Sequence, residues 1–277
     1  MNIQKLKTLL LIVIITLPLF GKSQINYGSN NGKYLTIRGT KIYYEEYGKG
    51  APLLLLHGGF GSIADFKKCI PELSAKYRVI IPDAPGLGRS EHADSLMSYQ
   101  LMALYYSKMI DLLKLDSAYI MGWSDGGISA LLLAKNRPDK IKKVLSAGPN
   151  YRADGMKEEE IDFNKNKLCN PEWIEMNLKG WVENYKLLSP QDDWKRYIAE
   201  AKKMWFEDEY FPKSDLEAIQ IPVLIAYGDN DMYKLEHGIE MYRAVKNSQL
   251  CILPNTSHEI FDEKPELIDQ IAVDFFK

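Results

Sequence analysis

The chain has 277 residues, 46% of them hydrophobic, which is enough for one large domain with an insertion and a substantial buried core. Its formal net charge of −2 gives no electrostatic reason to expect nucleic acid or an anionic membrane surface as a partner. The three cysteines are widely spaced and form no disulfide framework, and no C-x-x-C or H-E-x-x-H spacing indicates a metal site.

The first 23 residues differ from the rest of the chain. Lys5 and Lys7 precede an apolar run from Leu9 to Phe20 that is interrupted only by Thr16 and Pro18, and Gly21-Lys22-Ser23 follows it. A charged start, a short apolar core and small residues at the last and third-last positions are typical of a secretory signal peptide. We therefore expect cleavage after Ser23 and export to the periplasm or the medium, with no stable membrane association of the mature protein.

A retained membrane anchor is the alternative for this segment. The uninterrupted apolar run is shorter than the roughly 20 residues that a membrane-spanning helix requires. No cysteine follows the apolar core, which disfavours a lipid-anchored protein. Cleavage would remove three lysines and no acidic residue, so the formal charge would change from −2 to −5.

The segment from residue 34 to residue 150 alternates strand and helix patterns. Leu35–Arg38 and Lys41–Tyr47, joined at Gly39-Thr40, predict an opening β-hairpin. Near-continuous apolar runs predict strands at residues 52–57, 78–82, 117–121 and 141–146, as in a parallel sheet covered on both faces. Helical patterns lie between them and include Tyr99–Leu113 and Gly127–Asn136. The alternation resumes with strands at 222–227 and 249–253 and a last helix over Pro265–Phe276.

Residues 151–213 interrupt this alternation and contain four of the five tryptophans. Trp173, Trp181, Tyr185 and Leu188 fall on one face of a predicted helix. One interpretation is a helical cap whose aromatic side chains form an apolar pocket over an active site. The other is that these side chains only pack the insertion onto the main domain, which is the expected role for any single one of them.

Gly122-Trp123-Ser124-Asp125-Gly126 follows a strand pattern and precedes a helix pattern. G-x-S-x-G in that setting is typical of a nucleophile elbow, a tight turn that holds the serine in a strained conformation with its hydroxyl exposed. Glycines are needed two residues on either side because a Cβ there would collide with the neighbouring strand and helix. Ser124 is therefore the candidate nucleophile.

A serine nucleophile requires a base and a carboxylate that orients the base. His258 lies just past a short apolar strand and a polar loop, and Asp229 and Asp231 follow the strand predicted at 222–227. Either aspartate could reach the histidine, and the order serine, aspartate, histidine differs from that of the chymotrypsin and subtilisin types. The other histidines are interpreted as structural (His57) or solvent-facing (His92 and His237).

Two upstream motifs complete a resemblance to a known family. Leu53–Leu56 is a buried strand that runs into His57-Gly58-Gly59-Phe60-Gly61, a glycine loop that can offer a backbone N–H to a developing oxyanion. Asp83–Ser90 is similar to the D-x-x-G-x-G-x-S segment after the fourth strand of the α/β-hydrolase superfamily. The chain resembles that superfamily from about residue 34 to its end. Gly122–Leu131 is most similar to the biphenyl-hydrolase-like (valacyclovir hydrolase) branch.

The resemblance implies an α/β fold: a mostly parallel eight-stranded sheet flanked by helices, with a helical cap inserted after strand 6. The domain organisation would then be a signal peptide over residues 1–23, the first part of the core over 24–150, the cap over 151–213 and the second part of the core over 214–277.

The resemblance also assigns the catalytic acid. The family's G-x-x-D pattern favours Asp231 over Asp229 as the partner of His258. Some relatives place the acid after the sixth strand instead, where this chain has Asn150, although Asp154 is close.

The oxyanion hole implied by the resemblance uses the backbone N–H groups of Asp125 and Gly59, with Phe60 as the alternative to Gly59. In the similar branch, the aspartate beside the nucleophile holds the α-ammonium group of the substrate. A carboxylate of Asp125 in a partly desolvated pocket would favour a cationic substrate and repel an anionic one. The alternative is a side chain that only hydrogen-bonds the local backbone.

The expected protein is an exported serine hydrolase that cleaves a small carboxylic ester, possibly an α-aminoacyl ester, through an acyl-enzyme and without cofactor or metal. Its expected partner is the small-molecule ester, and its oligomeric state is left open. Amide or imino-peptide cleavage, C–C bond hydrolysis and cofactor-free perhydrolysis are open on the same fold. From a different class, a hydrolase-fold ligand receptor with an idle triad is also open.

Overall fold

The computed structural model describes Gly28, residues 31–206 and residues 210–277. The predicted signal peptide lies outside these described residues. One eight-stranded sheet runs through the molecule. Its strands are β1 (Lys33–Ile37), β2 (Thr40–Tyr47), β3 (Ala51–Leu56), β4 (Tyr77–Pro82), β5 (Ala118–Trp123), β6 (Ile141–Ala147), β7 (Val223–Gly228) and β8 (Ser248–Leu253).

The spatial order of the strands is β1-β2-β4-β3-β5-β6-β7-β8. β2 pairs antiparallel with β1 and with β4, and every pairing from β4 to β8 is parallel. This arrangement confirms the predicted mostly parallel sheet with an antiparallel opening hairpin. Because the strands from β3 to β7 are parallel and central, the loops that leave their carboxyl ends meet at one edge of the sheet.

Helices cover both faces of the sheet and fill the long connections. They are α1 (Ile70–Ser74), α2 (Tyr99–Leu112), α3 (Asp125–Asn136), α4 (Glu158–Phe163), α5 (Pro171–Asn177), α6 (Lys179–Leu188), α7 (Trp194–Phe206), α8 (Lys213–Glu217), α9 (Leu235–Ala244), α10 (Ile260–Glu263) and α11 (Pro265–Phe276). Short 3₁₀ turns over Ile63–Phe66 and Ala153–Gly155 and a π turn over Asn164–Leu168 complete the described elements.

The apolar strand runs are buried because helices pack on both faces of the sheet. Leu53–Leu56 of β3 is fully buried, with alternate side chains in two separate hydrophobic clusters. Leu54 and Leu56 face the cluster that contains α2 and α3, whereas Leu53 and Leu55 face the one that contains α11. A continuous apolar run is therefore what this central strand requires.

The insertion between β6 and β7 is helical, but one expectation about it is wrong. Trp173 and Trp181 were expected on one helical face, whereas they belong to α5 and α6, two helices separated at Leu178. Leu178 adopts φ −120° and ψ 40°, which ends α5 and redirects the chain. Trp181, Tyr185 and Leu188 do share α6.

Within the part of the chain that the structure describes, no helix is both long and apolar enough to cross a membrane.

Candidate active site

The turn between β5 and α3 holds Ser124 in a strained backbone conformation. Ser124 has φ 53° and ψ −120°, a region that residues with a side chain rarely adopt. Its N–H donates to Ala147 O at 2.8 Å, which fixes the turn against β6. A Cβ on Gly126 would lie 2.1 Å from Leu56 O, so only glycine allows α3 to approach β3 this closely. The local geometry is that of a nucleophile elbow.

His258 and Asp231 form a buried pair at the same edge of the sheet. Nδ1 of His258 lies 2.9 Å from Oδ1 of Asp231, which also accepts the Tyr233 N–H at 3.2 Å. Asp231 is 1% exposed and His258 is 7% exposed. Trp123, the residue before the elbow serine, donates its indole N–H to His258 O at 2.9 Å and so holds the histidine loop. A proton on Nδ1 leaves Nε2 of His258 free to act as the base.

The same pair sets the protonation of the histidine. Burial alone would lower the pKa of His258, but the charge of Asp231 and its hydrogen bond act in the opposite direction and the pKa is raised above its usual 6.5. A neutral His258 is required to accept a proton from serine. Activity that depends on this base should therefore decline as the pH falls through the raised pKa.

Of the aspartates considered from sequence, Asp231 contacts His258. Asp229 is exposed and accepts the Thr256 N–H at 3.0 Å, a bond that lowers its pKa and orders the loop leading to His258. Asp154 is exposed and pairs with Arg152 at 2.6 Å. The structure thus gives Asp229 and Asp154 contacts of their own away from the histidine.

Ser124 and His258 line a single cavity of about 280 Å³. No hydrogen bond joins their side chains in the described structure. Such contacts are often long in the absence of substrate and tighten when it binds. The cavity is largely apolar, and the insertion and the loop after β7 contribute most of that surface. These apolar residues are Met156, Leu168, Leu178, Trp181, Trp205, Tyr210, Met232 and Tyr233.

Two backbone N–H groups at the cavity are candidates for an oxyanion hole. Asp125 is the first residue of α3, so its N–H has no acceptor within the helix. The Gly59 N–H makes no hydrogen bond to any residue that the structure describes, and both residues line the cavity. The Phe60 N–H instead donates to Tyr197 Oη at 2.7 Å, which leaves Gly59 as the second donor.

The Asp125 side chain is held inside the same cavity by two other side chains. Its Oδ1 accepts from Tyr99 Oη at 2.9 Å, and Trp205 Nε1 lies 3.1 Å from each carboxylate oxygen. These contacts overturn the alternative in which Asp125 bonds only local backbone. Burial raises the pKa of Asp125 to about 6, against the opposing effects of Tyr99, Trp205 and His258. At pH 7 the carboxylate is therefore mostly ionised.

Apart from His258, the side chains of the described residues lining the cavity that can carry a charge near neutral pH are the carboxylates of two acidic residues. They are Asp125, which is buried, and Glu259, which is exposed and directly follows His258. No lysine or arginine among the described residues lines this cavity. Opposite charges attract across a partly desolvated space, so the cavity favours cationic ligands over anionic ones. Among the described residues, no cluster of three or more histidine, cysteine or acidic side chains is arranged to hold a metal ion.

The other three histidines are structural, and for two of them the solvent-facing expectation is wrong. His57 is fully buried, with Nδ1 at 2.8 Å from Gly58 O and Nε2 accepting the Ala84 N–H at 2.9 Å. His92 is 5% exposed and bonds Tyr185 Oη at 3.0 Å.

His237 is 3% exposed and stacks on the ring of Tyr151 at 4.8 Å between centroids. Burial lowers its pKa to about 4, so the ring is neutral at physiological pH. Its Nε2 accepts the Tyr151 N–H at 3.2 Å, at the point where the chain leaves β6 for the insertion.

Sequence reasoning missed Tyr99 and Glu259 at this site, and although it included Trp205 among the aromatic residues of the insertion, it did not predict the contact of Trp205 with Asp125. Tyr99 and Trp205 reach Asp125 from 26 and 80 residues away in the chain, and no local pattern signals such contacts. Glu259 could have been recognised from the sequence because it directly follows His258.

Comparison with known proteins finds similarity to hydrolases. Residues 51–168 match a family model described as alpha/beta hydrolase fold. The chain is 27% identical to the human serine hydrolase BPHL, over 88% of this chain and 85% of that protein. It is 25% identical to a 2-hydroxy-6-oxo-6-phenylhexa-2,4-dienoate hydrolase of Burkholderia cepacia, over 89% of this chain and 96% of that protein.

A solved structure gives the same fold. The bromoperoxidase of Bacillus anthracis superposes with a TM-score of 0.75 at 21% identity, covering 88% of this chain and 99% of the other. The sheet order and these matches show the α/β-hydrolase fold, and the chain is similar to hydrolases of that fold over most of its length.

Proposed function

We propose that the protein is a serine hydrolase that cleaves small carboxylic esters through an acyl-enzyme. One observation carries the proposal: the strained Ser124 at the start of α3 shares a cavity with the buried pair of His258 and Asp231. A serine held in that conformation is costly to the fold, by about 1–3 kcal/mol, and such strain is retained mainly at functional sites.

The geometry supports the following reaction. Ser124 Oγ attacks the ester carbonyl carbon while Nε2 of His258 takes the hydroxyl proton. The negative charge that develops on the carbonyl oxygen is stabilised by the N–H groups of Gly59 and Asp125. The carbon–oxygen bond to the alcohol then breaks as His258 returns the proton to the leaving oxygen. Water, deprotonated by the same histidine, attacks the acyl-enzyme, and the carboxylic acid leaves as the proton returns to Ser124 Oγ.

The charge of the cavity supports a cationic or neutral ester rather than an anionic substrate. The dienoate named for the Burkholderia relative carries a carboxylate, which would enter a cavity lined by Asp125 and Glu259 and by no lysine or arginine of the described residues. Hydrolysis of a carbon–carbon bond in such a substrate is therefore disfavoured here on electrostatic grounds.

The position of Asp125 supports an α-aminoacyl ester in particular. A Cβ on Gly59 would lie 2.8 Å from Asp125 Oδ2, so this oxygen is beside the loop that is expected to donate to the oxyanion. An uncompensated carboxylate there would repel the developing negative charge. An α-ammonium group, which is adjacent to the scissile carbonyl, would neutralise it and form a charge-assisted hydrogen bond.

A matched set of esters tests the proposal. We expect faster hydrolysis of an α-amino ester than of its N-acetyl and deaminated analogues, and little turnover of the corresponding p-nitroanilide or of a phenylhexadienoate. Asp125→Asn keeps the size and the backbone N–H but removes the charge. It should reduce kcat/KM for the amino ester by roughly ten- to a hundredfold and spare p-nitrophenyl acetate.

Glu259→Gln is the matched control because it removes the other carboxylate of the cavity. It should retain the preference for the amino ester. Equal losses on both ester types in Asp125→Asn would show that this residue only supports the elbow, and the aminoacyl part of the proposal would be wrong.

The ratio of kcat/KM for the amino ester to that for the neutral ester should also depend on pH. The effect of His258 cancels in this ratio because both reactions use the same base. Asp125, with a pKa of about 6, is protonated at lower pH and then loses its attraction for the ammonium group. We expect the ratio to fall as the pH decreases from 7 to 5, and a ratio that stays constant over this range would exclude Asp125 as the ammonium partner.

We also propose that the mature enzyme begins near Gln24 and acts outside the cytoplasm. The support is the lysine-flanked apolar run and its Gly21-Lys22-Ser23 ending. Mass spectrometry of the protein produced from the full-length gene in a secreting host should find a soluble species that starts at or near Gln24. A species that contains Met1 and requires detergent extraction would show instead that the segment is an anchor.

A further inference from the structure

We propose that the helical insertion shapes the oxyanion hole by clamping the backbone of Phe60, with Tyr197 and Trp181 as positioning residues. This inference rests on the proposed serine hydrolase function and adds to it the control of the oxyanion loop, residues 57–61, by α6 and α7.

Both backbone groups of Phe60 are bonded by side chains of the insertion. Its N–H donates to Tyr197 Oη at 2.7 Å, and its carbonyl accepts the Trp181 indole N–H at 2.8 Å. Tyr197 belongs to α7 and Trp181 to α6, so two different helices bond the same residue of the core. Tyr197 is 1% exposed, and its hydroxyl is therefore shielded from competing water.

The Phe60 ring strengthens the same contact. It packs at 4.7 Å from Trp181, at 5.6 Å and 90° from Tyr197, and at 5.9 Å from Trp205, measured between ring centroids. Trp205 in turn donates to Asp125, whose N–H is the other candidate oxyanion donor. The aromatic cluster therefore connects the insertion to both sides of the predicted hole.

The conformation of the loop explains why a clamp is needed. Phe60 has φ +59°, a left-handed conformation that is unfavourable for a residue with a side chain. It is flanked by Gly58, Gly59 and Gly61, which place few restrictions of their own on the backbone. Without outside contacts the loop would relax, and the Gly59 N–H would lose its fixed direction. Tyr197 also occupies the Phe60 N–H, which leaves Gly59 as the loop donor that faces the cavity.

Tyr197→Phe tests the clamp because it removes the hydroxyl and keeps the ring. With p-nitrophenyl acetate we expect kcat to fall by roughly tenfold or more, while KM changes by less than about twofold, because the lost interaction acts on the transition state. A phenylethyl trifluoromethyl ketone, whose carbonyl carbon bonds Ser124 Oγ as the hydroxyl proton passes to His258, should lose affinity in parallel. The matching methyl ketone, which binds without forming this adduct, should bind as well as it does to the wild type.

Tyr185→Phe is the matched control. Tyr185 is also a buried tyrosine of the insertion that tethers it to the core, since its hydroxyl donates to Gly86 O at 2.9 Å. Loss of the Tyr185 hydroxyl should lower thermal stability about as much as Tyr197→Phe does. It should leave kcat and the affinity for the trifluoromethyl ketone unchanged.

Two outcomes would overturn the clamp. One is a Tyr197→Phe enzyme with wild-type kcat and wild-type inhibitor affinity. The other is an equal loss of kcat in both tyrosine variants, which would show that any contact holding the insertion on the core has the same effect. If Tyr197→Phe does not fold, Trp181→Phe removes the other bond to Phe60 and should give the same loss of kcat and inhibitor affinity. Activity that survives Ser124→Ala would instead refute the proposed function and would be recognised separately.

Discussion

Ser124→Ala and His258→Ala should each remove nearly all esterase activity, by about 10⁴-fold or more in kcat for p-nitrophenyl acetate. The double variant should lose little more, because the two residues act as one unit and their effects are not additive. The reason lies in the shared cavity: alanine at position 124 removes the nucleophile, and alanine at position 258 leaves the serine hydroxyl without a base. Steady-state rates of all three purified variants measure the effect.

Ser129→Ala is the control for the serine variant. Ser129 is also buried in α3, one turn after the elbow, but its hydroxyl donates to Asp125 O at 2.8 Å and does not line the cavity. It should retain activity. A near-wild-type rate in either Ser124→Ala or His258→Ala would show that the assignment of nucleophile and base is wrong. A wild-type protein that binds small esters but turns none over would favour the hydrolase-fold receptor.

The fold could be predicted where the chain's own periodicity dictates it. The run Leu53–Leu56 is buried on both faces of the sheet, and its unbroken apolar pattern therefore predicts a central strand. The predicted last helix matches α11 over Pro265–Phe276, since proline favours a first turn and the apolar face continues to the end. The break between α5 and α6 was missed because Leu178 is apolar and suited to a helix, and only its dihedral angles interrupt one.

The candidate site also has a part that could be predicted from the sequence and a part that could not. Ser124 could be found because a nucleophile elbow is built from consecutive residues, so its signal is local. The surroundings of Asp125 could not, since Tyr99 and Trp205 converge on it only through tertiary packing. His92 was expected in solvent, whereas it is buried and hydrogen-bonds Tyr185 of the insertion, a contact that no local pattern indicates.

The structure separates the two candidates for the acid of the proposed triad. Asp231 is buried and hydrogen-bonds Nδ1 of His258, whereas Asp229 is exposed and bonds the Thr256 N–H. In Asp231→Asn, the amide can present an N–H to Nδ1 and so favour the tautomer with its proton on Nε2, which cannot accept the serine proton. The imidazolium that forms during reaction would also lose its counter-charge.

We therefore expect Asp231→Asn to lower kcat by on the order of a thousandfold or more. Asp229→Asn should retain most activity, because an amide oxygen can still accept the Thr256 N–H. The pH profile adds a readout that a loss of stability would not move. Asp231 raises the pKa of His258, so in the residual activity of Asp231→Asn the acidic limb of kcat/KM should shift to lower pH. If Asp229→Asn were the crippled variant and Asp231→Asn kept the wild-type limb, the acid would be Asp229, reached through a rearranged loop between β7 and α9.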